Sequence, residues 1–203
     1  MRNIDRQYAD PLDVVWLHAA KQMGMRVRRS IEVNASWNGA GVLTIGTPET
    51  LDPDDCLAQM ILHETCHALV EGPDSVRKLD WGLLNEPAKK IHEHACLRLQ
   101  AALADQFGMR RFFASTTMFR RYYDRLPVDP LAPGDDPAIA LAQTGWQRAR
   151  EGPWAAALDE ALGRTARIAN ALEGITTRTS LWHQHQLPEN AASSDTPETS
   201  SKS

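Results

Sequence analysis

The residues best suited to chemistry are His63, Glu64 and His67, which form the pattern His-Glu-x-x-His. Residues four apart lie on one face of a helix, so both imidazoles can point at one metal ion. The glutamate between them can then take a proton from a water molecule at that ion. In such sites zinc lowers the pKa of the water and polarises a carbonyl group. The pattern predicts a zinc site with Glu64 as general base.

The neighbours of this motif favour the metal interpretation over two ordinary surface histidines. With this content of His and Glu, chance alone should produce the pattern in roughly one such chain in a hundred. Apolar residues surround the motif on nearly every side of the helix: Leu57, Met60, Ile61, Leu62, Ala68, Leu69 and Val70. A helix of this kind is typically buried, and buried histidines and glutamates need partners.

A third metal ligand must come from elsewhere, because catalytic zinc usually has three protein ligands. Glu93 lies among apolar residues of a predicted helix, where a carboxylate is costly unless it binds something. Glu86 precedes Pro87 at the start of that helix, where an acid also interacts favourably with the helix dipole. The sequence favours Glu93 and leaves Glu86 open, with His94 nearby as a histidine beside the site or at the surface.

The elements that position these residues can be read from caps, turns and periodicity. Asp52-Pro53 predicts the start of the motif helix, which should end at about Glu71 before Gly72-Pro73. A ligand helix is predicted from Pro87 to about Gln106. Upstream, a helix over 11–23 with Asp10 as its cap precedes an extended stretch, an Asn38-Gly39 turn and a returning strand over 41–46.

The rest of the chain is predicted to be helical. A long helical region is expected over 110–126, either continuous or interrupted at Ser115, followed by a loop over 127–137. Two further helices open at Asp136-Pro137 and Gly152-Pro153. The fold class is therefore α+β, mostly helical, with a hairpin or minimal sheet ahead of the motif helix. We expect one domain over 1–175, including a helical extension over about 109–175, and a disordered tail over 186–203.

Three pieces of the chain together resemble a known family. Gly41–Gly46 is followed by a helix bearing Leu62–His67 and then by the acidic stretch Glu93–Leu97. This order is similar to that of short gluzincins, the minigluzincins and the cytoplasmic ImmA/IrrE-type peptidases. The resemblance covers roughly residues 27–105.

The resemblance implies a zinc metallopeptidase. It implies zinc on His63, His67 and Glu93, with Glu64 as the base. It also implies that the strand before the motif helix, or its neighbour, aligns an extended peptide substrate by main-chain pairing, which would give Val42–Ile45 a substrate role.

Composition limits the partners and the compartment. The chain has 203 residues, a formal net charge of −4 and a pI near 6.0, so nothing favours nucleic acid or an anionic membrane. No apolar run approaches the ~18 residues of a membrane span, and three cysteines without paired spacing fit a reducing compartment. We expect a cytoplasmic protein with a peptide or protein substrate. The alternative is a regulatory, non-catalytic zinc-binding module.

Two smaller features carry alternatives. Cys66 and Cys96 would be neighbours if the two ligand helices face each other, either as small core residues or as a redox-sensitive pair. A basic cluster is either a solvated helix face or a surface for an acidic partner or substrate, and it comprises Arg110, Arg111, Arg120, Arg121 and Arg125.

Overall fold

The computed structural model describes residues 5–83, 89–114 and 117–183 and shows the predicted α+β fold. In chain order the elements are α1 (Pro11–Gln22), β1 (Arg26–Ser30), β2 (Ala35–Trp37), β3 (Val42–Gly46), α2 (Leu57–Glu71), α3 (Lys89–Asp105), α4 (Arg120–Tyr123), α5 (Ala138–Glu151) and α6 (Ala155–Ala171). Two 3-10 turns, Pro73–Arg77 and Leu79–Gly82, follow α2. Glu86 and the expected tail over 186–203 lie outside the described residues.

The sheet has three strands in the order β1-β3-β2. β2 and β3 form the predicted antiparallel hairpin, with Trp37 opposite Leu43, while β1 runs parallel to β3. The parallel pairing makes β3 the middle strand, with main-chain partners on both edges. The role implied for Val42–Ile45 in pairing with a substrate is therefore wrong, because both edges of that strand are already occupied.

The motif helix α2 begins at Leu57, five residues after the predicted start at Asp52. The reason is a capping box, in which the side chain of Gln59 accepts a hydrogen bond of 2.5 Å from the main-chain N–H of Cys56. The Gln59 amide also donates to the main-chain oxygen of Phe112 at 2.6 Å, which fixes the start of the helix from outside.

α2 lies at the centre of the fold, and every residue from Leu57 to Val70 is buried. It ends at Gly72 as predicted, where φ is 91°, a value that favours glycine. Arg148 of α5 donates to the main-chain oxygens of Leu69 and Val70, at 2.6 and 2.8 Å, and so satisfies carbonyls at the helix end. α3 and α5 pack on α2 and on each other.

α1 and α6 close the other side of the core. Asp10 caps α1 as predicted, since its side chain accepts from the main-chain N–H groups of Leu12 and Asp13. Trp16 is fully buried and its indole N–H donates to the hydroxyl of Thr165 in α6 at 3.0 Å. The two helices that lie farthest apart in the sequence are thereby joined directly.

Among the described residues of the predicted helical region over 110–126, only α4 is helical, so the prediction is wrong over 110–114. Ser115, the position of the possible interruption, lies outside the described residues. Residues 110–114, which we call the carbonyl segment, form turns whose main-chain oxygens accept hydrogen bonds from side chains. The main-chain oxygen of Arg110 accepts from the hydroxyl of Tyr123, and that of Phe112 accepts from the amide of Gln59. The oxygen of Phe113 accepts from the amide of Gln100, and that of Ala114 accepts from the guanidinium of Arg120. Oxygens used in this way are not free for the ladder of a helix.

Within the described residues, no helix combines the length and the apolar character that crossing a membrane requires. The predicted loop over 127–137 contains no helix or strand. Both helices expected after it are present as α5 and α6.

Candidate metal centre

α2 brings the two motif histidines together on its buried face. The Nε2 atoms of His63 and His67 lie 3.1 Å apart, and the rings meet edge to face with their centroids 4.6 Å apart. His63 is 6% exposed and His67 is 3% exposed. Two imidazole nitrogens therefore converge on one point inside the protein, as the i, i+4 spacing predicts.

α3 adds the carboxylate of Glu93 at the same point. Its Oε2 lies 3.5 Å from Nε2 of His67 and 4.0 Å from Nε2 of His63. A tetrahedral zinc with donors at about 2.0–2.1 Å places those donors roughly 3.3 Å from one another. The three separations bracket that value, so these donors fit around a single ion with only small adjustments.

Gln100 of α3 fixes the orientation of the His63 ring. Its Oε1 lies 2.9 Å from Nδ1 of His63, and its amide nitrogen donates to the main-chain oxygen of Phe113. Because the amide nitrogen is directed at Phe113, the oxygen must face the imidazole, which assigns the ring proton to Nδ1. Nε2 then carries the lone pair that a metal ligand needs.

His67 also has the character of a metal ligand. Burial, followed by the nearby charge of His63, lowers its pKa well below the usual value, so the ring is neutral. Its Nδ1 is buried and has no hydrogen-bond partner among the residues that the structure describes. Two imidazoles and a carboxylate that face one another in this way need a shared proton or a cation between them.

Cys96 lies on the far side of the His63 ring. Its Sγ is 3.6 Å from Nδ1 of His63. His63, His67 and Cys96 are all buried, and their donor atoms lie within 4.8 Å of one another, so the cluster could hold a metal ion. Cys96 is not part of the predicted ligand set His63, His67 and Glu93, although it lies one helical turn after Glu93 on the same helix.

The Cys96 thiol is also adjacent to Cys66. Burial and the neighbouring Cys66 thiol raise the pKa of Cys96 well above its usual value. Both residues are fully buried and free. Cys66 and Cys96 are therefore neighbours, as the sequence predicts. The raised pKa favours the protonated thiol of Cys96, which reacts slowly with oxidants.

Glu64 projects from the same helix and is held by Trp81. The indole N–H of Trp81 donates to Oε2 of Glu64 at 2.7 Å. Burial is the largest effect and raises the pKa of Glu64 above its usual value, although the charge of His63 and the hydrogen bond from Trp81 oppose this shift. Glu64 is 9% exposed and Trp81 is 2% exposed, so the indole covers the carboxylate. No local sequence pattern predicts this contact, because Trp81 lies 17 residues after Glu64.

The turn that carries Trp81 is strained and anchored to the sheet. Asp80 and Trp81 have φ angles of 44° and 59°, which are unusual for residues other than glycine. The carboxylate of Asp80 accepts from the main-chain N–H of Trp37 and the hydroxyl of Ser36, both at 3.0 Å, and the Trp81 ring stacks on Trp37 at 4.4 Å. These contacts hold the turn against β2 despite the strain.

The other candidate histidine lies apart from the centre. His94 stacks on Tyr122, with ring centroids 3.6 Å apart and planes 11° apart. The prediction that His94 lies beside the site or at the surface stays a prediction. His92 contacts Glu71, with Nδ1 and Oε1 2.5 Å apart.

No family model, no curated protein and no solved structure matches this chain. The likeness to short gluzincins therefore stays a prediction that rests on the residues named above.

Proposed function

We propose that this chain is a metal-dependent hydrolase that cleaves peptide bonds, with zinc held by His63, His67 and Glu93. One observation carries the proposal. Two imidazole nitrogens and a carboxylate oxygen from two helices converge within 3.1 to 4.0 Å of one another. Glu64 follows the first of these ligands directly, on the same buried helix.

The choice of Glu93 over Cys96 follows from the two nitrogens of the His63 ring. His67 and Glu93 lie at Nε2, whereas Cys96 lies at Nδ1. An ion bonded to Nε2 lies on the other side of the ring from an ion bonded to Nδ1. Since Gln100 already occupies the Nδ1 side at 2.9 Å, the Nε2 side is the better place for the metal.

The proposed mechanism assigns a proton transfer to Glu64. A bound zinc would supply a Lewis acid that polarises the peptide carbonyl and acidifies water. Glu64 would take the proton of the attacking water and return it to the leaving amine. The hydrogen bond from Trp81 to Oε2 orients the carboxylate, so that Oε1 is the oxygen that accepts the proton.

A second candidate function is a zinc-binding module without catalytic activity. The position of Trp81 favours this function. Trp81 is 2% exposed and its indole N–H donates directly to Glu64, so that the indole occupies one side of the proposed base. In this case the metal would join α2 to α3 and contribute to folding, as structural zinc does.

Zinc binding by single variants tests the ligand set. Wild-type protein purified without chelator should hold about one zinc per chain. His67→Ala and Glu93→Ala should lose the metal, while Cys96→Ala should keep it. Retention in Glu93→Ala together with loss in Cys96→Ala would contradict the proposal and assign the ion to the His63, His67 and Cys96 cluster.

Peptide cleavage separates the two functions. The zinc-loaded wild type is incubated with a mixed peptide library, and Glu64→Gln serves as the matched control because it keeps the shape but removes the base. Cleavage by the wild type that Glu64→Gln abolishes supports the hydrolase. Equal zinc affinity in both proteins, with no cleavage by either, would support the non-catalytic module.

A further inference from the structure

A second candidate site occupies a cavity of about 350 Å³ that shares no lining residue with the metal centre. The cavity lies between the carbonyl segment, α4 and the stretch after α6. Cationic and hydroxyl side chains make up much of its lining, among them those of Arg110, Arg111, Arg120, Arg178, Thr179 and Ser180. The acidic residue of the lining, Asp124, is paired with Arg120. The volume falls in the range of small-molecule sites.

Two of the four arginines are not neutralised. Arg110 and Arg120 form ion pairs with aspartates four or five residues away in the sequence. Within the described part of the chain, the guanidinium groups of Arg111 and Arg178 have no ion pair or hydrogen bond. The chain as a whole carries a net charge of −4, so the local positive charge of two unpaired guanidinium groups beside one cavity is opposite in sign to the net charge of the protein.

We propose that this cavity binds the phosphomonoester group of a small molecule. A phosphate monoester carries a charge of about −1.5 to −2 at pH 7, which matches the two unpaired guanidinium groups. The planar guanidinium of Arg111 or Arg178 can bind two phosphate oxygens at once. The hydroxyl groups of Thr179 and Ser180 can donate to the remaining oxygens. Leu126 and Leu181 line the cavity beside them and can contact an organic group.

Calorimetric titration with phenyl phosphate tests the proposal, with phenyl sulfate as a probe of the same shape but a single charge. We expect phenyl phosphate to bind roughly tenfold more tightly, because a dianion is attracted to two guanidinium groups more strongly than a monoanion of the same shape. Arg111→Gln and Arg178→Gln should each weaken phenyl phosphate binding by roughly tenfold, which corresponds to one lost charge-assisted contact. Both residues are exposed, so the variants should fold, and their urea midpoints check this.

Arg121→Gln is the matched control. It also removes one positive charge, but Arg121 lies in α4 and does not line this cavity. Its affinity for phenyl phosphate should equal that of the wild type. Equal weakening by Arg121→Gln, equal binding of the sulfate, or no binding of the phosphate would overturn the proposal. The same titration is repeated with a phosphoserine peptide. If the peptide binds more weakly than phenyl phosphate, the site is assigned to small molecules.

Discussion

Replacing Gln100 by leucine tests how the metal centre is oriented. The change keeps a side chain of similar size but removes the acceptor at Nδ1 of His63 and the donor to the oxygen of Phe113. Each buried polar group left without a partner costs about 1–3 kcal/mol of folding free energy. The His63 ring also loses the contact that directs its Nε2 lone pair toward His67 and Glu93.

The expected result is weaker zinc binding as well as lower stability. Removing a partner that orients a metal ligand typically lowers metal affinity 10- to 100-fold, which is about 1.4–2.7 kcal/mol. The affinity is measured by competition with a chromophoric zinc chelator, and the stability of the metal-free protein by urea unfolding. Gln100→Leu should lower both the zinc affinity and the free energy of unfolding.

Gln59→Leu is the control that separates these effects. Gln59 and Gln100 are both fully buried, and each donates to a main-chain oxygen of the carbonyl segment. Only Gln100 contacts a motif histidine. Gln59→Leu should therefore lose similar stability but keep the zinc affinity of the wild type. Equal zinc affinities for Gln100→Leu and wild type, or equal losses in both variants, would refute the role assigned to Gln100.

Three further predictions concern other contacts. Thr165→Val leaves the buried indole N–H of Trp16 unpaired, so urea unfolding should show a loss of about 1–3 kcal/mol. Trp81→Phe keeps an aromatic ring over the proposed base but removes the donated N–H, and should lower cleavage while leaving the zinc content unchanged. Burial raises the pKa of Asp136, but hydrogen bonds, that from Tyr122 foremost, hold it below its usual value. The stability from this carboxylate is present above about pH 4 and is lost as the pH falls further. Asp136→Asn should therefore be less stable than wild type at pH 7, and the difference in unfolding free energy should shrink below pH 4.

Features encoded by neighbouring residues were predictable from the sequence. Asp10 caps α1, Asn38-Gly39 turns the hairpin, and Gly72 ends α2, because each signal acts on the main chain within a few residues. The meeting of His63 and His67 was predictable for the same reason, since the geometry of one helix brings their Nε2 atoms together.

Contacts between distant parts of the chain were not predictable in this way. Gln100 meets His63 across 37 residues, and Trp81 meets Glu64 across 17, so no local pattern marks either residue. The parallel pairing of β1 with β3 is also non-local, and it overturned the substrate role of the strand. The carbonyl segment was predicted as helix because its own periodicity is helical, whereas its main-chain oxygens are used by side chains from other elements.

The carbonyl segment also has a consequence for the order of folding. The oxygens of Phe112 and Phe113 can be satisfied only after Gln59 and Gln100 are in place, and Gln59 is 53 residues away from its partner Phe112. Contacts that close long loops form late, so substitutions here should accelerate unfolding and leave the folding rate nearly unchanged. Since this segment also accepts the amide of Gln100, whose oxygen contacts His63, the orientation of the His63 ring should be complete only after the segment has docked.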